Sequence, residues 1–289
     1  MAMTTRQRSR MSKAIQIGIF VLAIVLIAVL VDWKLVGESF FRFDKLGPMF
    51  PDIIVVGLRN TLFYTVLAFV FGLVLGLILA LMKLASFAPY RWLATIYIEF
   101  FRGIPALLVL ITIGFGLPLA MNITLPQWLT VMIGLGLSSA AYIAETLRAG
   151  LQAVPKGQTE AARSLGMPAW RAMVTIVIPQ AIRIVLPPLT NEFILLTKDS
   201  SLAFILGATS VQYELTKFGR DGITSLGAGI TPLLVAGVLY LVITVPLSQL
   251  ARWFERRTAA VSRPRKRSNP PAKPGTERDA SLALGEEQA

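Results

Sequence analysis

The stretch Glu160–Gln180, EAARSLGMPAWRAMVTIVIPQ, lies between two apolar segments that are each long enough to cross a bilayer. It forms the centre of a polar segment, 148–190, in a chain that is otherwise mostly apolar. Loops rich in lysine and arginine stay on the cytoplasmic side of a membrane, so the basic residues here predict a cytoplasmic loop. These residues are Arg148, Lys156, Arg163, Arg171 and Arg183. An ordered helical loop in this place would indicate a docking site for another protein.

Local signals in this stretch predict two short helices joined by a turn. Thr159 is a candidate N-cap, which places Glu160 in the first helical turn, where a carboxylate suits the helix dipole. Gly166 is a candidate terminator, and Pro168 suits the first position of a second helix. We expect that helix to end near Ile178, because a residue followed by proline is pushed away from helical geometry. These features fit a docking loop and an amphipathic helix lying on lipid headgroups equally well.

The spacing of Glu160-Ala161-Ala162, Gly166 and Ile176-x-Ile178-Pro179 resembles the cytoplasmic signature loop of ABC-importer permeases. Isoleucines stand at two positions, Ile104 and Ile178, where the family usually has threonine and leucine. Five further motifs resemble the branch of the family that takes up polar amino acids. They are Gly57–Leu62 (GLRNTL), Glu99–Pro105 (EFFRGIP), Ala141–Glu145 (AYIAE), Val154–Gln158 (VPKGQ) and Leu186–Phe193 (LPPLTNEF).

This resemblance implies an all-α, polytopic membrane protein of about six transmembrane helices with a cytoplasmic coupling-helix loop, 148–180, which is the type I ABC importer permease fold. The implied function is the permease subunit of an ATP-driven importer for polar or charged amino acids of the glutamine, glutamate or basic type. The subunit would form the translocation path and couple it to a cytoplasmic ATPase. The implied coupling residues are Glu160, Ala161, Ala162, Leu165 and Gly166.

The resemblance also implies a set of partners. These are a dimer of ABC ATPase subunits, a second permease subunit in a homodimer or heterodimer, an extracytoplasmic solute-binding protein, the amino acid substrate and membrane lipid. No nucleic acid is expected. No cofactor is expected on this chain either, because ATP and Mg would be bound by the partner ATPase.

The composition of the chain excludes several other classes of protein. Its 289 residues are 55% hydrophobic with a mean hydropathy of +0.66, which indicates a polytopic membrane protein. The net charge of +12 comes mainly from the termini and the central loop, where membrane orientation explains it without nucleic acid. The sequence has no cysteine, histidine or P-loop lysine motif. This argues against the usual zinc sites, Ser-His and Cys-His nucleophiles, and ATP hydrolysis by this chain.

We predict six spans: Ile15–Val31, Leu58–Met82, Leu93–Leu119, Trp128–Leu147, Arg183–Leu206 and Thr231–Trp253. A signal peptide is the alternative for the first, but its length suffices to cross and no small-residue cleavage site follows. Both termini are then cytoplasmic in a bacterial inner-membrane protein. Residues 1–57 form a basic arm, an extra span and an external loop, residues 58–257 form the permease domain, and residues 258–289 form a disordered cytoplasmic tail.

Two features of this arrangement have competing interpretations. Gly72 and Gly76 lie on one helical face, which indicates either a close helix contact or simple tolerance of glycine in lipid. The external segment 208–230 is more typical of a solvated loop than of a short helix that closes the outer mouth. The run of small residues in the fourth span, which includes Ser138 and Ser139, is typical of a helix packed against protein.

Polar residues within the spans are candidates for the solute pathway, because ionised groups in hydrocarbon are costly unless they are paired or face a cavity. Glu99 and Arg102 are three residues apart and can pair, either as a structural ion pair or in the pathway. Tyr142 and Glu145 are candidates for the inner cavity mouth. The polar fifth span offers acceptors for an ammonium and donors for a carboxylate: Asn191, Glu192, Thr197, Lys198 and Asp199. A structural pair between Lys198 and Asp199 is an equal alternative.

The main alternative function is a secondary amino acid transporter driven by an ion gradient. It would use Glu99, Lys198 and Asp199 as ion-coupling groups. Inverted repeats would support this alternative, and none are evident in this sequence. A membrane scaffold or receptor without a solute path is a third class, and the polar fifth span argues against it.

Overall fold

The computed structural model describes residues 5–262, with side chains described for residues 11–257. Two helices, α1 (Thr5–Leu30) and α2 (Trp33–Phe40), come first. Asp32 begins α2, since its carboxylate accepts from the N–H groups of Lys34 and Leu35, each at 3.0 Å. The rest of the described chain is also helical and contains no strand.

The other helices follow one another with short connections. They are α3 (Arg59–Leu84), preceded by a π-helical turn (Ile53–Leu58); α4 (Ala88–Gly103); α5 (Ala106–Ile111), joined by a π-helical turn (Thr112–Gly116) to α6 (Leu117–Met121); α7 (Gln127–Ala153); α8 (Lys156–Ser164); α9 (Ala169–Ala172), joined by a π-helical turn (Met173–Val177) to α10 (Ile178–Asp199); a 3₁₀ helix (Ser200–Leu206); α11 (Leu215–Leu226); and α12 (Thr231–Ser262).

Five helical runs are long and apolar enough to cross a membrane, and a bent pair brings the number to six. This confirms the predicted all-α polytopic fold. The runs are Met11–Leu30, Ile53–Leu84, Gln127–Ala153, Ala169–Leu206 and Thr231–Arg257, with the bent pair Ala88–Gly103 and Ala106–Met121. Helix α12 ends at Ser262, so residues 258–262 are helical, unlike the predicted tail, whose remainder lies outside the described residues.

The third span, which we predicted as one irregular crossing over Leu93–Leu119, is broken into two helical parts. Its two halves, α4 and α5–α6, meet at an angle of 101°. The break lies at Ile104, whose backbone is extended (φ −105°, ψ 134°). Pro105 explains it, because proline disfavours helical geometry in the preceding residue and has no N–H to donate.

The predicted turn between the two short helices is present, but the first helix starts earlier than expected. Helix α8 begins at Lys156, so the prediction of Thr159 as its N-cap is wrong; Pro155 occupies that position. The prediction of Gly166 as terminator is confirmed by its φ of +84°. Its N–H donates to the Arg163 carbonyl at 3.0 Å, and the next N–H donates to the Ala162 carbonyl at 3.1 Å. These two bonds form a Schellman motif.

The second short helix does not end near Ile178, as the sequence predicted. It passes through the π-helical turn Met173–Val177 and continues as α10, so that Ala169–Leu206 is one helical run. Pro179 lies in the first turn of α10. The π-helical turn directly before α10 interrupts the α-helical hydrogen-bond pattern at this point, so the missing N–H of Pro179 does not stop the helical run.

Helices α3 and α7 form a close pair at the centre of the fold. A Cβ atom at Gly76 would lie 2.9 Å from Ile143 Cγ2 and 3.0 Å from the Ala140 carbonyl oxygen. Gly72 faces Ser139 in the same way, and a Cβ at that position would clash with the hydroxyl. The close-contact interpretation of these glycines is therefore confirmed. Helix α1, in contrast, exposes its side chains from Met11 to Leu30 along the whole span.

The segment 208–230 contains a 3₁₀ turn (Ser210–Gln212) and the helix α11, and is not the solvated loop that we expected. Helix α11 buries Leu215, Gly219 and Gly222 against the start of α12 and the segment before α3. Asn60, at the start of α3, donates its amide to the carbonyl of Val211 at 2.8 Å and to a second carbonyl two residues later at 2.9 Å. These bonds tie the segment before α11 to the spanning helix α3.

Glu214 begins α11 from a fully buried position. Its carboxylate accepts from the N–H groups of Thr216 at 2.6 Å and Lys217 at 2.7 Å, and from the Tyr240 hydroxyl at 3.0 Å. Burial nevertheless dominates and raises the pKa of Glu214 from 4.5 to about 7, against the lowering effect of these hydrogen bonds. The carboxyl group that begins α11 therefore has a pKa near neutral pH.

Glu214 should make the stability of the protein depend on pH. The folded state binds its proton more tightly than the unfolded state, so this contribution is fully present below pH 4.5 and is lost as pH rises through about 7. Each tenfold difference in proton affinity between the folded and unfolded states corresponds to roughly 1.4 kcal/mol. Thermal unfolding in detergent should show a stability difference between wild type and Glu214→Gln that changes over this pH range. An unchanged difference at all pH values would contradict the assignment.

Candidate functional site

A cavity of about 640 Å³ lies between the broken third span, α7 and α10. The bend at Ile104–Pro105 forms one wall, α7 contributes Ser138, Ser139 and Tyr142, and α10 contributes Glu192 and Asp199. The two carboxylates are seven residues apart, which places them two turns apart on one face of α10. The cavity therefore exists because α4 breaks where it does, beside the polar face of α10.

Arg102 brings a positive charge to the same cavity. Its guanidinium carbon lies 5.7 Å from the ring centroid of Tyr142, and the Tyr142 hydroxyl donates to the Arg102 carbonyl at 3.4 Å. A cation within 6 Å of an aromatic face is attracted to it, so Tyr142 helps to hold the guanidinium. The cavity thus combines two carboxylates with one guanidinium, and Tyr142 is among the residues that line it.

Other predicted pathway residues lie outside this cavity. Asn191 and Lys198 are exposed on a different face of α10, and Thr197 is buried and donates to the carbonyl of Phe193 at 2.8 Å. Within the described part of the chain Lys198 and Asp199 form no ion pair, so the structural pair that we considered is absent.

Glu99 is also exposed, and it does not pair with Arg102 in the described residues. The predicted spacing was compatible with such a pair. Arg102, however, is the last residue but one before the helix breaks, and its guanidinium lies over Tyr142 instead. The break and a tertiary contact on another helix thus determine where the arginine points.

Glu145 belongs to an ion-pair cluster outside the cavity. Its carboxylate binds Lys83 of α3 and accepts from Arg148 Nη2 at 2.7 Å and Nε at 2.9 Å. Arg148 also donates to Gln152 at 2.6 Å. The cluster connects the end of α3 to α7, so in this structure Glu145 joins two helices and does not line the cavity.

The predicted coupling residues lie together on the α8 turn. Glu160, Ala161, Leu165 and Gly166 are exposed, with Leu165 exposed to 88%. Ala162, in contrast, is buried. The turn therefore presents one carboxylate and one uncovered leucine, and α8 packs against α9 and the π-helical turn that follows it.

Sequence reasoning assigned Ser138 and Ser139 only to packing, but both also line the cavity. Each hydroxyl donates to a carbonyl of its own helix, Ser138 to Gly134 at 3.3 Å and Ser139 to Gly136 at 3.2 Å. Their position beside Tyr142, within the small-residue run of the fourth span, was the available signal. The run of small residues could not show which side of α7 faces the break between α4 and α5.

Comparison with known proteins identifies the family. The family described as binding-protein-dependent transport system inner membrane component matches residues 72–260. The chain belongs to this family. The match includes the cavity-lining helices and the α8 turn, and it begins after α1 and α2.

Individual relatives agree with this membership. The chain is 36% identical over 215 residues to the arginine transport system permease protein ArtQ of Bacillus subtilis, covering 74% of this chain and 96% of the relative. It is 39% identical over 201 residues to the probable glutamine ABC transporter permease protein GlnM of the same organism, covering 70% and 91%. A crystal structure of an amino acid ABC transporter with histidines matches with a TM-score of 0.66 and 37% identity, over 76% of this chain and 98% of that one.

This membership decides between the function classes that the sequence left open. The chain is a multi-pass membrane permease subunit of an ATP-driven importer and not an enzyme, as predicted. The alternatives of a gradient-driven transporter and of a scaffold without a solute path are thereby excluded. In general terms, a permease of this family works with an ATPase, a second permease and a solute-binding protein.

The two carboxylates at 99 and 145 provide a matched test of the ion-pair cluster. Glu145→Gln should leave Lys83 and Arg148 without their shared partner and lower the free energy of unfolding by about 2 kcal/mol or more. Glu99→Gln removes an exposed carboxylate without an ion pair and should change the free energy of unfolding by less than about 0.5 kcal/mol. Thermal unfolding of both variants in detergent measures the difference. Equal effects would show that the cluster does not join α3 to α7.

Proposed function

We propose that the polar or charged amino acids imported through this chain are received by the cavity between the broken third span and α10. The observation that carries the proposal is the combination of Glu192, Asp199 and Arg102 around one cavity of about 640 Å³. Permease relatives are named for arginine, for glutamine and for glutamate and aspartate, which supports an amino acid as the transported solute.

The charges of the cavity suit a zwitterion. The ammonium group of an amino acid requires a carboxylate acceptor, which Glu192 or Asp199 supplies, and its carboxylate requires a donor, which Arg102 supplies. The second carboxylate is then left for the side chain of the solute. Because like charges repel, we propose that the cavity prefers neutral polar or basic side chains to acidic ones.

The α8 turn is proposed to dock on the ATPase dimer. Its exposed carboxylate and leucine offer one charged and one apolar contact, and α8 packs against α9. Movement of the turn would reach the cavity directly, because Ala169–Leu206 is one helical run that ends beyond Glu192 and Asp199. Two such permeases would alternate between inward-open and outward-open packings.

The remaining features of the assembly follow from the same proposal. The second permease is either an identical copy or a related chain, and an extracytoplasmic binding protein delivers the solute. ATP and Mg would bind to the ATPase and not to this chain, which has no P-loop lysine motif. Both termini would lie in the cytoplasm of a bacterium, in agreement with the basic residues that flank the spans.

The cavity assignment can be tested by comparing neighbouring residues of α10. Glu192→Gln and Asp199→Asn should each reduce uptake of the solute into reconstituted vesicles by about ten-fold or more, because a charge-assisted hydrogen bond is lost. Lys198→Gln, an adjacent change outside the cavity, should reduce it by less than about two-fold. Competition among the twenty amino acids would identify the solute. A strong loss in Lys198→Gln with normal uptake in the other two variants would move the pathway to the exposed face of α10.

The coupling surface is tested by two changes with one control. Glu160→Lys reverses an exposed charge at the proposed contact and should reduce co-purification of the ATPase by about ten-fold or more. Gly166→Val forces a β-branched residue to a φ of +84°, which costs about 1–2 kcal/mol and should reorient α8. Glu255→Lys makes the same charge reversal on the exposed end of α12 and should retain the ATPase. All three proteins should insert normally into the membrane, and a selective loss of insertion in the first two would argue against coupling.

A further inference from the structure

A second cavity, of about 590 Å³, lies where α3 ends, α4 begins and α7 passes them both. It shares no lining residue with the cavity described above. Lys83, Arg91 and Arg148 supply three positive charges to its walls, and Trp92 and Ile96 supply an apolar surface. Neither the transported solute nor the α8 turn accounts for a basic cavity in this place.

The cations of this cavity outnumber the carboxylate that neutralises them. Lys83 and Arg148 share the single carboxylate of Glu145. Arg91 has no ion pair in the described residues; its Nη1 donates to the carbonyls of Ala85 at 3.0 Å and Ser86 at 2.5 Å. The group therefore carries an excess of two positive charges, which favours an anion as its ligand.

The apolar wall shows where the cavity lies relative to the membrane. Trp92, Ile96 and Phe100 are exposed to 75%, 61% and 56% and follow one another at four-residue spacing on α4. They form one continuous apolar stripe that no other part of the described chain covers. Two more exposed aromatic residues, Phe87 and Tyr90, lie at the start of the same helix. Exposed aromatic residues beside lysine and arginine mark the level of the lipid headgroups.

We propose that this cavity binds an anionic phospholipid, with its phosphate between Arg91, Lys83 and Arg148 and an acyl chain along Trp92, Ile96 and Phe100. Basic pockets between spanning helices at the headgroup level have the chemistry that recognises such lipids. The binding site joins the ends of α3, α4 and α7, so the lipid reinforces the cluster around Glu145. This inference does not depend on which solute is transported.

Native mass spectrometry of the assembly that co-purifies with this chain, from nanodiscs of mixed phosphatidylglycerol and phosphatidylcholine, provides the test. Wild type should retain phosphatidylglycerol in preference to phosphatidylcholine. Arg91→Gln should weaken this retention by about five-fold, the effect of one basic charge beside an anionic membrane surface, and Arg91→Lys should restore most of it. Arg252→Gln removes an exposed charge of α12 on the same predicted side of the membrane and should change nothing.

A second measurement locates the acyl chain. Brominated phosphatidylglycerol should quench tryptophan fluorescence more than brominated phosphatidylcholine does, and this excess should disappear in Trp92→Phe and in Arg91→Gln. Inorganic phosphate added to the buffer should not displace the lipid. Equal retention of the two lipids, equal losses in Arg91→Gln and Arg252→Gln, or displacement by free phosphate would each overturn the proposal. So would retention by the isolated chain but not by the assembly, since a partner subunit would then cover the cavity.

Discussion

The close contact between α3 and α7 is the constraint on which the rest of the structure depends. Helices in a bilayer gain little from hydrophobic burial, because lipid tails are as apolar as leucine, and they associate through close packing instead. Gly72 and Gly76 let α7 approach until any Cβ on either glycine would collide with it. Gly136 does the same from the opposite helix, where it faces Phe71. Larger residues at these positions would separate the two helices against which α4, α5 and α10 pack.

The cavity arises because this central pair is closely packed while the helices around it are broken. Backbone that leaves helical geometry within a membrane is tolerated only where it is buried in protein or faces a water-filled cavity. The break at Ile104 meets this condition beside α7, and the prolines within α10, Pro187 and Pro188, lie on the helix that completes the enclosure. Irregular backbone and polar side chains thus occur together for one physical reason.

The sequence predicted those features that depend on local chemistry. The apolar runs predicted the spans, and the glycine at 166 predicted the turn, because a left-handed residue is a local requirement. Features that depend on the rotation of a helix about its axis were not predictable. The sequence could not show which polar residues of α10 face the cavity, or that the Arg102 guanidinium lies over Tyr142 and not beside Glu99. Helix α11 was mistaken for a loop because its stability comes from buried contacts with distant residues.

The helix that we expected to end near Ile178 continues through Pro179, and this continuity bears directly on how motion is transmitted. A helix that ended at Ile178-Pro179 would separate the α8 turn from the cavity by a flexible joint. Motion at the turn would then be absorbed before it reached Glu192 and Asp199. The π-helical turn and the position of Pro179 in the first turn of α10 instead keep Ala169–Leu206 continuous. Under the proposed docking, movement of the α8 turn would displace a wall of the cavity without a separate transmitting element, because the run Ala169–Leu206 begins directly after the turn and also lines the cavity.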